Sequence, residues 1–234
     1  MTFRPYPGLT IAALIAISIL VGLGVWQLQR LQWKLALIAD VTAHMAAPAI
    51  SLDQALHMSA DAVQYRKVTL QGRFDNANEA YVFATAEGGA PVYHVLSPFR
   101  VDDGRVLMVD RGAVPMDRMS QHSRIEGETN VTGIWRVPDG PGAFTPSPQP
   151  EKHIWYARDL AGISRAAHAT LAAPVVIEAD AAQNPGGFPR GGQTVVSFSN
   201  NHLSYAVTWF GLAAGLFGVY LAYHISKGRL RFGR

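Results

Sequence analysis

The sequence predicts a membrane protein with two transmembrane α-helices flanking one β-rich (α+β) extracytoplasmic domain. Three observations predict it. Charged residues make up 16% of the 234-residue chain, against about 25% in a typical soluble domain. The deficit is local, because 25 residues between Arg4 and Arg30 and 36 between Arg190 and Lys227 contain no Asp, Glu, Lys or Arg. Between the two gaps, β-branched and aromatic runs of strand length alternate with Gly, Pro and Asp.

The first span is Leu9 to Leu28 (LTIAALIAISILVGLGVWQL), whose 1.5 Å rise per residue reaches across a hydrocarbon core ~30 Å thick. A cleavable signal peptide would have a shorter apolar region followed by small residues. Here Trp26, Gln27, Gln29 and Arg30 follow, so the segment reads as a retained anchor. A helix is expected to continue through LQWKLALIADVTAHMAA and to stop before Pro48. The second span is Leu203 to Ile225, 23 residues long. Arg4 before the first span and Lys227, Arg229, Arg231 and Arg234 after the second place both ends in the cytoplasm. Tyr6, Tyr220 and Tyr223 then mark the inner interface, and Trp26, Tyr205 and Trp209 the outer one. Fewer than ten residues precede the first span, with no Arg- and Ser-rich presequence, which fits a bacterial inner-membrane protein or the mature form of an organelle protein.

The chain therefore divides into a tail with the first helix (1–30), the extracytoplasmic domain (31–199), the second helix (200–226) and a basic tail (227–234). Strands are expected near Arg66–Phe74, Ala80–Thr85, Val92–Phe99, Arg105–Asp110, Asn130–Val137 and Pro174–Glu178. Asp102-Asp103-Gly104 forms a hairpin turn between two of them. Pro138 to Pro150 is a loop, Asp159 to Leu171 contains a helical turn, and Asn184 to Gly192 is a flexible approach to the second span.

Charge and cysteine content exclude several functions. From Arg30 to His202 there are 15 basic and 17 acidic residues, so the middle of the chain has no basic face for nucleic acid. With no cysteine, disulfides, iron-sulfur clusters and thiolate metal sites are ruled out. No hydrolase, nucleotide-binding or zinc-protease signature occurs, so the sequence specifies no enzyme. His44, His57, His94, His122, His153 and His168 are scattered without metal-site spacing. Met116, Met119 and His122 offer two thioethers and an imidazole to Cu(I), although three ligands in an irregular polar loop form no rigid cage.

His202 heads the second span and shares a helix face with Ala206, Trp209, Ala213, Leu216 and Tyr220. Gly211, Gly215, Gly218 and Ala222 lie opposite. Small residues at that spacing permit close helix approach, so this glycine face is expected to pack on the first span and to turn His202 and Trp209 outward. An interfacial histidine bonded to water or lipid accounts for His202. So does an axial ligand of haem iron, with aromatic neighbours around the macrocycle and Arg30 or Arg190 meeting propionates. Each arginine is equally explained as a side chain snorkelling from a helix end.

Seven segments in order carry a resemblance across nearly the whole chain: GVWQLQRLQWKLALI from Gly24, YRKVTLQGRF from Tyr65, VYHVLSPF from Val92, VLMVDRGAVP from Val106, HIWYARDL from His153, PGGFPRGGQT from Pro185 and NNHLSYAVTWF from Asn200. The chain resembles the surfeit-locus family of cytochrome c oxidase assembly factors. The resemblance implies two transmembrane helices around an exported domain and a role in maturing subunit I of haem-copper oxidase. It further implies transient binding of haem a, with His202 matching the family's haem-associated histidine; as axial ligand His202 is expected to have Trp209, Tyr205, Trp26 and Arg30 around the haem. Trp26, Gln27 and Arg30 match the family's W-Q-x-x-R element. Subunit I, haem a synthase and membrane lipid are the implied partners. One position departs from the pattern, for Ala113 stands where the family usually has Trp. A cofactor-free scaffold holding subunit I is the alternative, and the oligomeric state stays open.

Overall fold

A computed structural model describes residues 2–86, 88–181, 184, 187–192 and 200–231. The elements follow the order β1 (Thr2–Phe3), α1 (Pro7–Ala46), β2 (Ile50–Ser51), α2 (Leu52–His57), α3 (Ala60–Val63), β3 (Lys67–Phe74), β4 (Ala80–Thr85), β5 (Pro91–Val101), β6 (Val106–Pro115), β7 (Thr129–Arg136), β8 (Ile154–Trp155), α4 (Leu160–Ala166), β9 (Leu171–Ala179), α5 (His202–Ser226) and β10 (Leu230–Arg231). They form two compact units, Met1–Asp40 with Ser197–Arg234, and Val41–Val196.

In the first unit, α1 and α5 are both long and apolar enough to cross a membrane. The protein is thus a membrane protein with two spans flanking a β-rich domain. α1 has 40 residues and a length of ~60 Å, about twice a bilayer's hydrocarbon thickness. It continues past the apolar span as expected and ends before Pro48, whose ring disfavours helix in the residue preceding it. The shielded positions along α1 include Thr10, Ala13, Ile17, Leu20, Gly24 and Gln27. These steps of three and four make a heptad seam.

α5 meets that seam antiparallel, since Gln27 bonds His202 near one end and Thr10 Oγ1 lies 2.7 Å from the Tyr220 hydroxyl near the other. Ala206 and Ala213 are only 1% and 6% exposed. The packed face of α5 is therefore the His202–Ala206–Trp209–Ala213 face, and the expectation that the glycine face packs is corrected. A Cβ added at Gly211, Gly215 or Gly218 would meet nothing within 4 Å. The small residue permitting close approach is Gly24 of α1, where a Cβ would stand 2.7 Å from the Phe210 ring. Hydrogen bonding explains the choice. His202, Tyr220 and His224 lie within about 40° on one face of α5, and polar groups in lipid must find partners inside the protein.

In the second unit, β3, β7, β9, β6 and β5 follow in ladder order. β3 returns to pair with β5 through Gly72↔Val101, Arg73↔Arg100 and Phe74↔Phe99, so the five strands close on themselves. Along β3, Val68, Leu70 and Gly72 point inward while Thr69, Gln71 and Arg73 face out, the period of two that a half-buried strand needs. Val68, Leu70, Phe99, Leu107, Val109 and Ile177 fill the interior, with Leu52 and Ala55 of α2 against them. Closure depends on Gly72, because a Cβ there would lie 2.1 Å from the Arg100 carbonyl oxygen. β4 extends the sheet from β5, and β8 adds to β4.

All six expected strands are present, with β5, β6 and β9 longer than their apolar runs suggested. The Asp102–Gly104 turn closes through the Gly104 amide and the Val101 carbonyl at 2.8 Å. The helical turn after Asp159 is α4, which the Asp159 side chain caps at the Gly162 amide. The expected flexible approach is described only at 184 and 187–192, and residues 185–186 and 193–199 lie outside the described residues.

The seam makes a testable distinction between glycines. Gly24→Val should lower the melting temperature of the full chain in detergent by several degrees, while Gly215→Val leaves it within a degree or so, because overpacking a contact costs about 1–3 kcal/mol and an open face costs little. Thermal unfolding followed by circular dichroism reads both.

Candidate functional site

The imidazole of His202 sits at the first position of α5 and is half-buried. Its Nδ1–H donates to Gln27 Oε1 at 2.7 Å. Gln27 is buried on the α1 seam, so the bond fixes ring orientation and tautomer together. The lone pair is thereby left on Nε2, the arrangement by which an outer partner prepares a histidine to ligate a metal. Instead of pointing away from its neighbouring helix, as expected, the ring leans on it through one nitrogen. Close by in the chain, Asn200 Oδ1 is buried and has no hydrogen-bond partner among the described residues.

Aromatic and cationic groups cluster around this point. The Arg30 guanidinium lies 6.0 Å from the Trp26 ring and 5.1 Å from the Trp33 ring, and both indoles are about half exposed. At about 100° per residue, Trp26, Arg30 and Trp33 fall about 60 to 120° to one side of Gln27. Tyr205 falls about 60° from His202 in the same rotational sense, and because α5 runs antiparallel to α1, this is the same side of the helix pair. Tyr205 is 56% exposed, whereas Trp209 is half-buried on the seam face. The donor set fits a haem: an imidazole whose Nδ1 is held by Gln27, with flat aromatic rings and a guanidinium nearby in the helix pair. Trp33 lies outside the residues singled out from the sequence, although its spacing of seven from Trp26 marks it as a neighbour on one face. Arg190 belongs to the other unit, where its backbone pairs with Ala113 and its guanidinium stacks 4.9 Å from Phe188.

His224, which the sequence reading passes over, is 0% exposed. Its Nδ1–H donates to the Tyr220 carbonyl and its Nε2 accepts from the Tyr6 amide at 3.5 Å. The rings of Phe3, Tyr6, Tyr220 and Tyr223 surround it. With both nitrogens engaged, this histidine ties the chain ends together and offers no ligand.

The β-domain holds two buried ion networks, both anchored by the VDRG segment of β6. Successive strand residues point to opposite faces, so Asp110 and Arg111 serve different networks. Asp110 accepts from His94 Nδ1 at 2.8 Å, Arg158 at 2.7 Å and the Gly112 amide at 2.9 Å. Burial raises its pKa, but the charges and hydrogen bonds of His94 and Arg158 outweigh that and hold it near about 2. Arg111 donates to Glu79 Oε1 at 2.9 Å, while His122 Nε2–H donates to Glu79 Oε2 at 2.9 Å and Nδ1–H to the Met119 carbonyl. Burial pushes the Glu79 carboxyl upward, yet the His122 hydrogen bond and the surrounding cations keep it below its ordinary value. The hydrogen bond to Glu79 raises His122, against the effect of burial. Both His122 nitrogens are engaged, by the Glu79 carboxylate and the Met119 carbonyl, which leaves neither for Cu(I) beside Met116 and Met119. Among the described residues, no group of three or more His, Cys, Asp and Glu side chains is placed to hold a metal.

A two-span membrane protein with a closed β-domain between its spans and a tautomer-fixed histidine heading the second span is the class these features define. Comparison with known proteins narrows it. Residues 14–214 match the SURF1 family. Surfeit locus protein 1 of Mus musculus is 35% identical over 215 residues, covering 82% of this chain and 68% of that protein. The protein of the same name in Takifugu rubripes is 33% identical over 231 residues, covering 88% and 92%. A SURF1-like protein of Rickettsia felis is 26% identical over 224 residues, covering 91% and 95%. The chain belongs to the SURF1 family.

The Glu79 network makes stability depend on pH. Because His122 titrates above its ordinary 6.5 in the fold, its contribution is fully present below about pH 6.5 and is lost as pH rises through the folded value. The melting temperature of the full chain in detergent should fall over that rise, and His122→Gln should flatten this part of the profile.

Proposed function

We propose that this protein is a membrane-anchored, non-catalytic assembly factor for haem-copper (cytochrome c) oxidase that binds haem a and helps its insertion into subunit I. The observation carrying the reading is the His202–Gln27 bond, which leaves the lone pair on Nε2 at the end of the helix pair where Trp26, Arg30 and Tyr205 stand. Membership of the SURF1 family supports it. Haem supplies the iron that Nε2 ligates. Gln27 holds the ring at the angle that keeps the lone pair on Nε2, and the exposed indole and phenol rings shield one side from water. Arg30 is the side chain placed to meet a propionate. A single imidazole on a half-open surface suits a carrier, since an incomplete ligand shell releases its cargo. Haem a synthase is the source of that cargo and subunit I its destination.

The basic tails orient the molecule. Arg4, Lys227, Arg229, Arg231 and Arg234 carry the excess positive charge and place both termini on the cytoplasmic side of a bacterial inner membrane, with the β-domain in the periplasm.

Co-expression with haem a synthesis enzymes should yield purified protein with a haem a absorption spectrum. His202→Ala should abolish it, and Gln27→Leu should weaken haem retention about 10- to 100-fold, as loss of an outer partner does at other metal-ligating histidines. Colourless wild-type protein would favour the cofactor-free scaffold, and a spectrum unchanged in His202→Ala would remove His202 as the ligand.

A further inference from the structure

The segments just outside the two spans, before α1 and after α5, carry cations and no acid. They belong to the unit Met1–Asp40 with Ser197–Arg234, whose one acidic side chain is Asp40, about 50 Å along α1 from Pro7. β1 and β10 pair antiparallel through Thr2↔Arg231 and Phe3↔Leu230. One step further, the Arg4 amide donates to the Arg229 carbonyl at 2.9 Å, so the register sets Arg4 directly opposite Arg229. Like charges in that position repel, and no acidic side chain of the unit is near enough to offset them.

Packing holds this ribbon in place despite the repulsion. Leu230 is buried, and the Phe3 ring lies 5.5 Å from that of His224. The Arg229 guanidinium stacks 4.5 Å from the Tyr6 ring and the Lys227 ammonium stands 5.9 Å from the Tyr223 ring, with the two tyrosine rings 6.1 Å apart. Arg4 and Lys227 are exposed. Phe3 and Tyr223 beside them are 47% and 43% exposed, which adds apolar surface that a free inorganic anion would not use. Because the ribbon directly adjoins the ends of two helices able to cross a membrane, it stands where hydrocarbon gives way to headgroups.

We propose that this ribbon binds the phosphate headgroup of an anionic phospholipid. The phosphodiester accepts hydrogen bonds from the Arg4 and Arg229 guanidiniums, whose forked donors match phosphate geometry, and Lys227 adds charge. Phe3 and Tyr223 lie against the glycerol and the upper acyl carbons. Basic residues at the end of a span are drawn to anionic lipid in general. Here the strand pairing fixes two guanidiniums across from one another, so the attraction is gathered into a discrete site. The inference is independent of haem binding, because it rests only on the two spans and the residues at their shared end.

The test uses the full ¹⁵N-labelled chain in neutral maltoside micelles and follows the arginine Nε–H resonances, those of Arg4 and Arg229 being assigned by their loss in Arg4→Gln and Arg229→Gln. Dioleoyl phosphatidylglycerol, dioleoyl phosphatidylcholine and sodium phosphate are added separately. Phosphatidylglycerol should shift both signals saturably. Phosphatidylcholine and phosphate should each bind at least about tenfold more weakly, the first for want of net charge and the second for want of apolar contact. Arg4→Gln and Arg229→Gln should each weaken phosphatidylglycerol about tenfold, read at the remaining arginine, whereas Arg165→Gln, the same charge change in the β-domain, should leave its affinity unchanged. Shifts that do not saturate, equal affinity for the two lipids, or wild-type affinity in both ribbon variants overturn the proposal. An effect of Arg165→Gln as large as that of Arg4→Gln overturns it in favour of diffuse charge attraction, and phosphate binding as tightly as phosphatidylglycerol overturns it in favour of a free-anion site.

Discussion

Polar side chains on a lipid-embedded helix have no water to satisfy them, and this constraint sets how α1 and α5 meet. His202, Tyr220 and His224 share one face of α5, and α1 and the residue before it supply a partner for each: Gln27, Thr10 and the Tyr6 amide. That face must turn inward, whatever close packing Gly211, Gly215 and Gly218 would permit elsewhere. Once it does, Phe210 needs room, and Gly24 provides it. The hydrogen bond that orients the helices is the same one that prepares His202 Nε2, so the fold of the membrane unit and the preparation of the site are one event.

In the β-domain, closure plays the corresponding role. Because β3 pairs with both β7 and β5, the ring has no free edge, and its inward side chains form one core. The charged residues of β6 are then enclosed beneath neighbouring segments and must be neutralised there. Asp110 and Arg111 do this in opposite directions, each recruiting residues distant in sequence. Ala113 follows on the same strand, buried and bonded through its backbone to Arg190. Close approach of the segment around Arg190 is permitted by Gly112, where a Cβ would strike the Arg190 backbone.

Much of this architecture was legible in the sequence because it depends on local patterns. The charge-free stretches, the stop before Pro48 and the alternation in β3 each follow from a few neighbouring residues. The two-residue strands β2 and β8 were not legible, since so short a segment carries no period and exists only where a neighbouring strand receives it. At the candidate site, His202, Trp26 and Arg30 could be singled out from the residues. The His202–Gln27 pairing and the engagement of both His122 nitrogens could not, because each joins residues far apart in the chain.

The sequence by itself determined that two apolar helices flank a β-domain, since burial in lipid and strand alternation are written in residue type and spacing. The tertiary structure alone decided which face of α5 is buried, which histidine nitrogens stay free and which segments pair as β1 and β10. Those outcomes depend on which donor meets which acceptor across 175 residues of chain, and pairing at that range follows from the competition among all possible partners, which no single segment records.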